Sequence, residues 1–158
     1  MLTVVLACAI VDIYMEKSTM LTATSEYALR ALVKLAQLPG EEMIFGQTLS
    51  TQCRIPANYL SKLMLVLRNS GLVEAVRGSH GGYRLGKPAR EICIVDVVSL
   101  FENVKSETKC LLGEDHDCSD EEACSAHVKY RRVRLAYIDF LTTTTIASIA
   151  KKKPLKKK

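Results

Sequence analysis

Residues 54–90 constrain the fold more than any other part of the chain, because an amphipathic helix pattern runs directly into a glycine-rich hairpin pattern. After Pro56, apolar side chains recur at helical spacing up to Ser70-Gly71, as Tyr59, Leu60, Leu63, Met64 and Leu67. Two short apolar runs, 72–76 and 83–85, then flank the turn Arg77-Gly78-Ser79-His80-Gly81-Gly82. A hairpin that directly follows such a helix is typical of a winged helix-turn-helix domain.

The sequence upstream completes this motif. An apolar stripe at helical spacing begins at Thr24, with Ser25 as the expected cap, and ends at Pro39-Gly40. A compact second helix is predicted over Thr48–Cys53. The predicted fold is therefore mainly α with a small β wing. Residues 20–90 form its winged helix-turn-helix DNA-binding domain, and a long dimerisation helix follows towards the C-terminus.

The charges of the chain are strongly polarised. Residues 54–90 carry a net charge of +6, whereas residues 107–122 carry −6. The total of +5 includes six lysines in residues 151–158, which are expected to form a solvated, Lys-rich tail. A basic segment that coincides with a helix and a wing favours double-stranded DNA as the partner.

Composition and chain ends bound the class of protein. With 48% hydrophobic and 25% charged residues, the chain is neither disordered nor a polytopic membrane protein. Residues 1–19 have no basic start typical of a signal peptide and no apolar run that could span a bilayer, so we interpret them as an N-terminal extension. These features predict a cytoplasmic protein with no membrane partner. The sequence also has no recognisable catalytic constellation, so we do not expect an enzyme.

Residues 91–150 are predicted to hold a sensor loop and dimerisation helices. A short helix is expected over Ile94–Phe101, followed by an acidic loop at about 103–122. A long amphipathic helix then starts at Ala123, and a last apolar segment covers 146–150. A long amphipathic helix outside a compact domain has little of its own chain to pack against. It therefore favours a symmetric homodimer whose two heads bind a pseudo-palindromic operator.

Three cysteines and a histidine are clustered at the acidic loop. Cys110, Cys118, Cys124 and His127 lie within eighteen residues, and Cys124 and His127 share a helix face. Thiolates and imidazole bind zinc or an iron–sulfur cluster. The pattern lacks the close cysteine pair usual in structural zinc sites, which favours a cluster, while zinc and redox-active thiols remain alternatives. Cys8, Cys53 and Cys93 have no such neighbours and are expected to be structural.

Several motifs taken together resemble the IscR/NsrR/RirA-type winged-helix regulators of bacteria, over roughly residues 20–150. They are Met20-Leu21-Thr22, Ser25-Glu26-Tyr27-Ala28-Leu29-Arg30, Ile55-Pro56-x-x-Tyr59-Leu60-x-Lys62-Leu63, Gly71-Leu72-Val73, Arg77-Gly78-x-x-Gly81-Gly82-Tyr83 and the cysteine trio. Because the resemblance begins at Met20, it supports the interpretation of residues 1–19 as an extension.

The resemblance implies a homodimeric transcription factor whose iron–sulfur cluster, 2Fe-2S or 4Fe-4S, controls DNA binding. By position, the base-contacting residues would be Asn58, Ser61 and Arg77. Tyr59 and Lys62 would hold phosphate, while the wing motif places Gly78, Gly81, Gly82 and Tyr83 at the DNA.

The same resemblance implies that Cys110, Cys118 and Cys124 bind the cluster. The fourth ligand would be His127 or Glu26 of the partner subunit. This chain departs from the family pattern in the many acidic residues around its thiolates, which disfavour an anionic cluster. Control by zinc, by a thiol switch or by a protein partner is therefore the alternative, and the sequence leaves repressor and activator equally open.

Overall fold

The protein consists of six α-helices and one β-hairpin within the residues that the structure, a computed structural model, describes: 20–40, 42–78, 81–104 and 123–151. The elements are α1 (Ala23–Ala36), α2 (Gly46–Cys53), α3 (Ala57–Asn69), β1 (Val73–Val76), β2 (Gly82–Leu85), a 3₁₀ turn (Ala89–Glu91), α4 (Ile94–Val98), α5 (His127–Thr143) and α6 (Ile146–Ala150). This mainly helical architecture with one small antiparallel sheet confirms the predicted fold class. The expectations for residues 1–19, for most of the acidic loop and for residues 152–158 fall outside the described residues.

Helix α1 is capped by Thr22. The Thr22 hydroxyl accepts a hydrogen bond from the Ser25 backbone amide at 3.3 Å, and Glu26 lies in the first turn, where a negative charge is favourable. The prediction that Ser25 is the cap was therefore wrong by three residues. Ser25 is instead fully buried, with 0% of its surface exposed.

Helices α2 and α3 form the helix-turn-helix. Helix α2 ends at Cys53, and the next residue, Arg54, caps it in a left-handed conformation (φ 54°). Pro56 precedes the first turn of α3. The buried Ser50 hydroxyl donates to the Ile55 carbonyl at 2.6 Å and holds the turn closed. The turn thus fixes α3 relative to α2 without leaving its polar groups unpaired.

The hairpin is held against the segment before α2. β1 and β2 pair antiparallel, from Val73 opposite Leu85 to Val76 opposite Gly82. Ile44 pairs with Tyr83 on the other side of β2, through backbone bonds of 3.1 and 2.9 Å. The wing is therefore anchored on both edges of β2.

The C-terminal helices return to the same core. Helix α4 ends at Val98 rather than at the predicted Phe101, because the chain tightens into a turn in which the Phe101 amide donates to the Val98 carbonyl at 3.0 Å. Ile92, Val97 and Ile146 belong to the same apolar cluster as α1–α3, so residues on both sides of position 90 share one core.

Helix α5 packs against the rest of the chain along one narrow side. Of its 17 residues only His127 and Leu141 are buried, and it starts at His127 rather than at the predicted Ala123. Leu141 joins Ile94 and Val98 in a second small apolar cluster. Four large apolar residues are exposed on α5: Val128, Val133, Leu135 and Phe140. Within the part of the chain that the structure describes, no helix has the length and apolar character needed to cross a membrane.

Candidate nucleic-acid interface and sensor residues

Three of the predicted DNA-contacting side chains share the exposed face of α3. Asn58, Ser61 and Lys62 are all exposed and are spaced three and four residues apart, which places them on one side of the helix. The opposite side packs into the core through Leu60, Leu63, Met64 and Leu67. The structure therefore brings these three residues together on the surface.

Two of these side chains already form hydrogen bonds within their own helix. The Asn58 side-chain oxygen accepts from the Tyr59 amide at 2.9 Å, and the Ser61 hydroxyl donates to the Ala57 carbonyl at 3.0 Å. An asparagine that bonds an adenine edge uses both its oxygen and its nitrogen. The local bond therefore occupies the oxygen that such a contact would need.

Tyr59 lies at the contact between α3 and α1. Its phenolic oxygen is 2.5 Å from the Thr24 hydroxyl oxygen, and its ring packs edge-to-face on Tyr27, with centroids 5.6 Å apart. The Arg30 guanidinium lies 5.3 Å from the centre of the Tyr27 ring. Tyr59 thus positions two helices, and this half-buried place also leaves it at the edge of the exposed face.

The wing presents Arg77 but not Arg84 as an exposed cation. Arg77 follows β1 directly and is exposed, and Gly78 beside it adopts a φ of 116° that favours glycine. Arg84, on β2, is directly opposite Glu74 in the hairpin. Its guanidinium bonds the Glu74 carboxylate at 2.7 and 2.8 Å.

Close backbone packing explains why glycine occupies positions 81 and 82, at the end of the wing turn. A Cβ at Gly81 would lie 2.2 Å from the Val76 carbonyl oxygen, and one at Gly82 would lie 2.6 Å from the Ile44 carbonyl oxygen. The Tyr83 ring packs partly buried against the start of α2 at Gly46. Gly81, Gly82 and Tyr83 therefore build the wing and its attachment to the domain.

Two of the predicted metal ligands meet at the start of α5. Cys124 has a free, partly exposed thiol, His127 is buried, and the His127 backbone amide donates to the Cys124 carbonyl at 3.0 Å. Cys110 and Cys118 lie outside the described residues, while Glu26 is half-buried in the first turn of α1. The described residues alone contain no group of three such donors. A thiol and an imidazole three residues apart fit the chemistry of a zinc or iron–sulfur site.

The remaining described cysteines have structural positions. Cys53 is buried in α2, and its thiol donates to the Arg30 carbonyl at 3.7 Å. Burial raises the pKa of the Cys53 thiol, although nearby Lys34 and Arg30 oppose the shift, so the thiol stays protonated. Cys93 is the N-cap of α4, and its amide donates to the Asp96 carboxylate at 2.8 Å.

Sequence reasoning missed Glu102, which bonds to the N-terminus of α1 from eighty residues away. The Thr22 backbone amide and the Thr22 hydroxyl each donate to its carboxylate at 2.8 Å. A glutamate in an acidic region gives no local signal for such a contact. Only the three-dimensional fold brings it to Thr22.

The chain is similar to known regulators over most of its length. Residues 21–152 match the Rrf2 family, described as iron-dependent transcriptional regulators. An HTH-type transcriptional regulator IscR from Erwinia tasmaniensis is 34% identical over 129 residues, which cover 82% of this chain and 77% of that protein.

Two solved structures have the same fold. CymR, the global cysteine regulator of B. subtilis, superposes with a TM-score of 0.69 at 28% identity, covering 84% of this chain and 97% of that one. IscR of T. potens superposes with a TM-score of 0.64 at 25% identity, covering 84% and 86% of the two chains. By its matched length and by these relatives, the chain belongs to the Rrf2 family of transcriptional regulators, which are not enzymes.

Proposed function

We propose that the chain is a homodimeric DNA-binding regulator whose affinity for an operator is controlled by an iron–sulfur cluster. The observation that carries the DNA-binding part is the exposed row of Asn58, Ser61 and Lys62 on α3, beside the exposed Arg77 of the wing. The α3 row and Arg77 both lie in the segment of net charge +6. This positive charge would attract the DNA phosphates on either side of the bases that these side chains contact.

The proposed roles follow from the donors and acceptors of each side chain. Asn58 and Ser61 contact base edges in the major groove, and Arg77 bonds a guanine at the wing. Lys62 and the hydroxyl of Tyr59 hold phosphate. Gly78, Gly81, Gly82 and Tyr83 give the wing the shape that brings Arg77 to the DNA.

The homodimer rests on the exposed apolar residues of α5. Val128 and Leu135 are seven residues apart and so lie on one side of the helix, with 60% and 57% of their surfaces exposed. Val133 and Phe140 repeat this spacing on another side. A second copy of α5 would cover these rows, and the two-fold axis would present two α3 helices to a pseudo-palindromic operator.

The cluster would be held by Cys110, Cys118 and Cys124. The half-exposed Cys124 thiol and its place beside the buried His127 support this assignment. His127 would complete the site, or Glu26 of the partner subunit would do so. When bound, a cluster would cross-link the thiolates of the acidic loop in a way that depends on iron and redox state.

A second candidate is a thiol switch without a cluster. It is favoured by the similarity to CymR, the global cysteine regulator of B. subtilis, and by the free thiol of Cys124. In this case oxidation of the loop cysteines, rather than cluster loss, would change the DNA affinity.

Anaerobic purification tests the choice between the two. We expect a brown protein that contains matching amounts of iron and acid-labile sulfide, and a Cys110→Ala variant that has lost both. Cys93→Ser is the matched control, because Cys93 caps α4 and should leave the colour unchanged. A colourless wild-type protein after reconstitution, with DNA binding that depends on reductant, would replace the cluster with the thiol switch.

Operator binding tests the DNA-binding part separately. A duplex selected from random DNA by the wild-type protein serves as the operator. Arg77→Ala should weaken binding to this duplex by about 1–3 kcal/mol and relax the preference at one base position. Arg90→Ala is the control, since Arg90 is exposed but lies beyond the wing. Unchanged affinity in Arg77→Ala would rule out its role at a base.

A further inference from the structure

The carboxylate of Glu102 joins the base of the acidic loop to the first helix of the DNA-binding head. Its Oε1 atom accepts from both the backbone amide and the hydroxyl of Thr22, each at 2.8 Å. The Thr22 hydroxyl oxygen also lies 3.3 Å from the Ser25 hydroxyl oxygen at the start of the helix. Glu102 therefore extends the cap of α1 from outside the helix.

This contact is made by the residue that leads into the loop. The Glu102 amide donates to the Val98 carbonyl at 2.9 Å, so its backbone continues the turn after α4. Cys110 and Cys118 follow Glu102 by eight and sixteen residues in the sequence. Any displacement of the loop base thus acts directly on the carboxylate that holds α1.

Tyr137 connects α5 to the chain just before the Thr22 cap of α1. Its hydroxyl donates to the Met20 carbonyl at 3.3 Å, just before the Thr22 cap. Glu102 and Tyr137 line the same surface pocket, together with Met20. Burial, and then the negative charge of Glu102, raise the pKa of the Tyr137 phenol there. The loop base, the long helix and the start of α1 therefore converge within one small region.

From this region, α1 reaches the DNA-contacting helix within two turns. Thr24 follows the cap and bonds Tyr59 of α3 through its hydroxyl, and Tyr27 packs on the same Tyr59 ring. Tyr59 precedes Ser61 and Lys62 on α3 by only two and three positions. The connection is continuous from Glu102 through the α1 cap to the exposed face of α3.

We propose that Glu102 is a positioning residue that transmits the state of the sensor loop to α3 through the two hydrogen bonds that it accepts from Thr22. The inference rests on the proposed function, because it requires a loop with two states. A ligand in the loop changes DNA affinity only by the difference in its interaction with those states, and this difference must be conveyed by a physical contact. Without the Glu102 carboxylate, the position of α1 would no longer depend on the state of the loop.

The test compares the dissociation constants for the selected operator duplex of the cluster-loaded and the chelator-stripped protein. Their ratio measures the coupling whichever form binds more tightly. We expect Glu102→Ala to bring this ratio to within about twofold of one, as the coupling is lost. Glu102→Gln keeps an acceptor oxygen and should restore the wild-type ratio to within about threefold. Glu91→Ala, which removes an exposed glutamate at the 3₁₀ turn, is the matched control and should leave the ratio unchanged.

The outcomes separate this inference from the proposed function. A wild-type ratio different from one that persists in Glu102→Ala would overturn the role of Glu102 and leave the proposed function intact. A ratio as close to one in Glu102→Gln as in Glu102→Ala would also overturn the role of Glu102, because the hydrogen bonds would then not carry the coupling. A wild-type protein without a cluster, or with equal affinities in both forms, would instead overturn the proposed function and the inference together.

Discussion

The wing depends on a glycine that leaves no room for a side chain, and Gly81→Ala is therefore a sharp test of how the wing contributes to DNA binding. The Gly81 amide closes the turn by donating to the Gly78 carbonyl at 3.0 Å. A methyl group at this position would lie 2.2 Å from the Val76 carbonyl oxygen and 2.9 Å from the carbonyl carbons of Val76 and Arg77. All three are backbone atoms, so no side chain can rotate away to relieve the clash.

The size of the effect follows from these distances. The end of β1 would have to move by about 1 Å before the contact with the Val76 oxygen becomes ordinary. Arg77 follows Val76 directly and would move with it. A shift of this size takes a hydrogen bond outside its useful range. We therefore expect the loss of one base contact, about 1–3 kcal/mol, or roughly 5- to 150-fold in affinity for the operator.

The assay is fluorescence anisotropy with the selected operator duplex. Gly40→Ala is the control, because Gly40 has a φ of 55° but nothing within 4 Å of the added carbon. Gly40→Ala should lower the free energy of unfolding by about 1 kcal/mol without changing DNA affinity. If Gly81→Ala retained the wild-type secondary structure by circular dichroism and bound the operator within about twofold of the wild type, the wing argument would be refuted.

Three further predictions concern stability and phosphate binding. Leu141→Ala should lower the free energy of unfolding in urea by about 3–5 kcal/mol, because Leu141 is fully buried against Ile94 and Val98; a loss below about 1 kcal/mol would contradict that packing. Lys62→Ala should weaken operator and random DNA equally and reduce the salt slope by about 1, and a selective loss on the operator would count against a phosphate role. Although burial opposes the shift, the hydrogen bonds from Ser25 and Thr22 hold the pKa of Glu102 below its ordinary value of 4.5. The contribution of ionised Glu102 to the free energy of unfolding is therefore present above that value and lost as the pH falls. In urea titrations below about pH 5, the wild type should lose more stability than Glu102→Gln.

Local patterns were enough to predict most of the secondary structure. The apolar stripe of α3 and the glycine-rich turn after it depend on neighbouring residues, and both elements formed where expected. Ends were less certain, because they depend on contacts beyond the local pattern. Helix α4 stops at Val98, whose carbonyl accepts the bonds of the following turn, although the apolar pattern continues to Phe101.

Contacts between distant segments had no sequence signal. Arg84 counts toward the net charge of +6 over residues 54–90, yet the hairpin register sets it opposite Glu74, which pairs with it. The bonds from Thr22 to Glu102 require the whole chain to fold before the two residues meet. For the sensor residues, the sequence predicted a shared helix face for Cys124 and His127, but α5 starts at His127, so Cys124 lies three residues before the helix.

The internal hydrogen bonds of the α3 side chains bear on how such a protein would search DNA. The Asn58 side-chain oxygen and the Ser61 hydroxyl proton are paired within their own helix, so a mismatched base pair would leave neither of these two groups unpaired. A protein that slides along non-specific DNA, held by attraction to the phosphates, would therefore find little change in binding free energy from these two side chains as the base sequence changes. Only a base pair that offers better hydrogen-bond partners would make Asn58 and Ser61 exchange their internal bonds. The two side chains would therefore strengthen binding at the operator and add little to non-specific binding elsewhere.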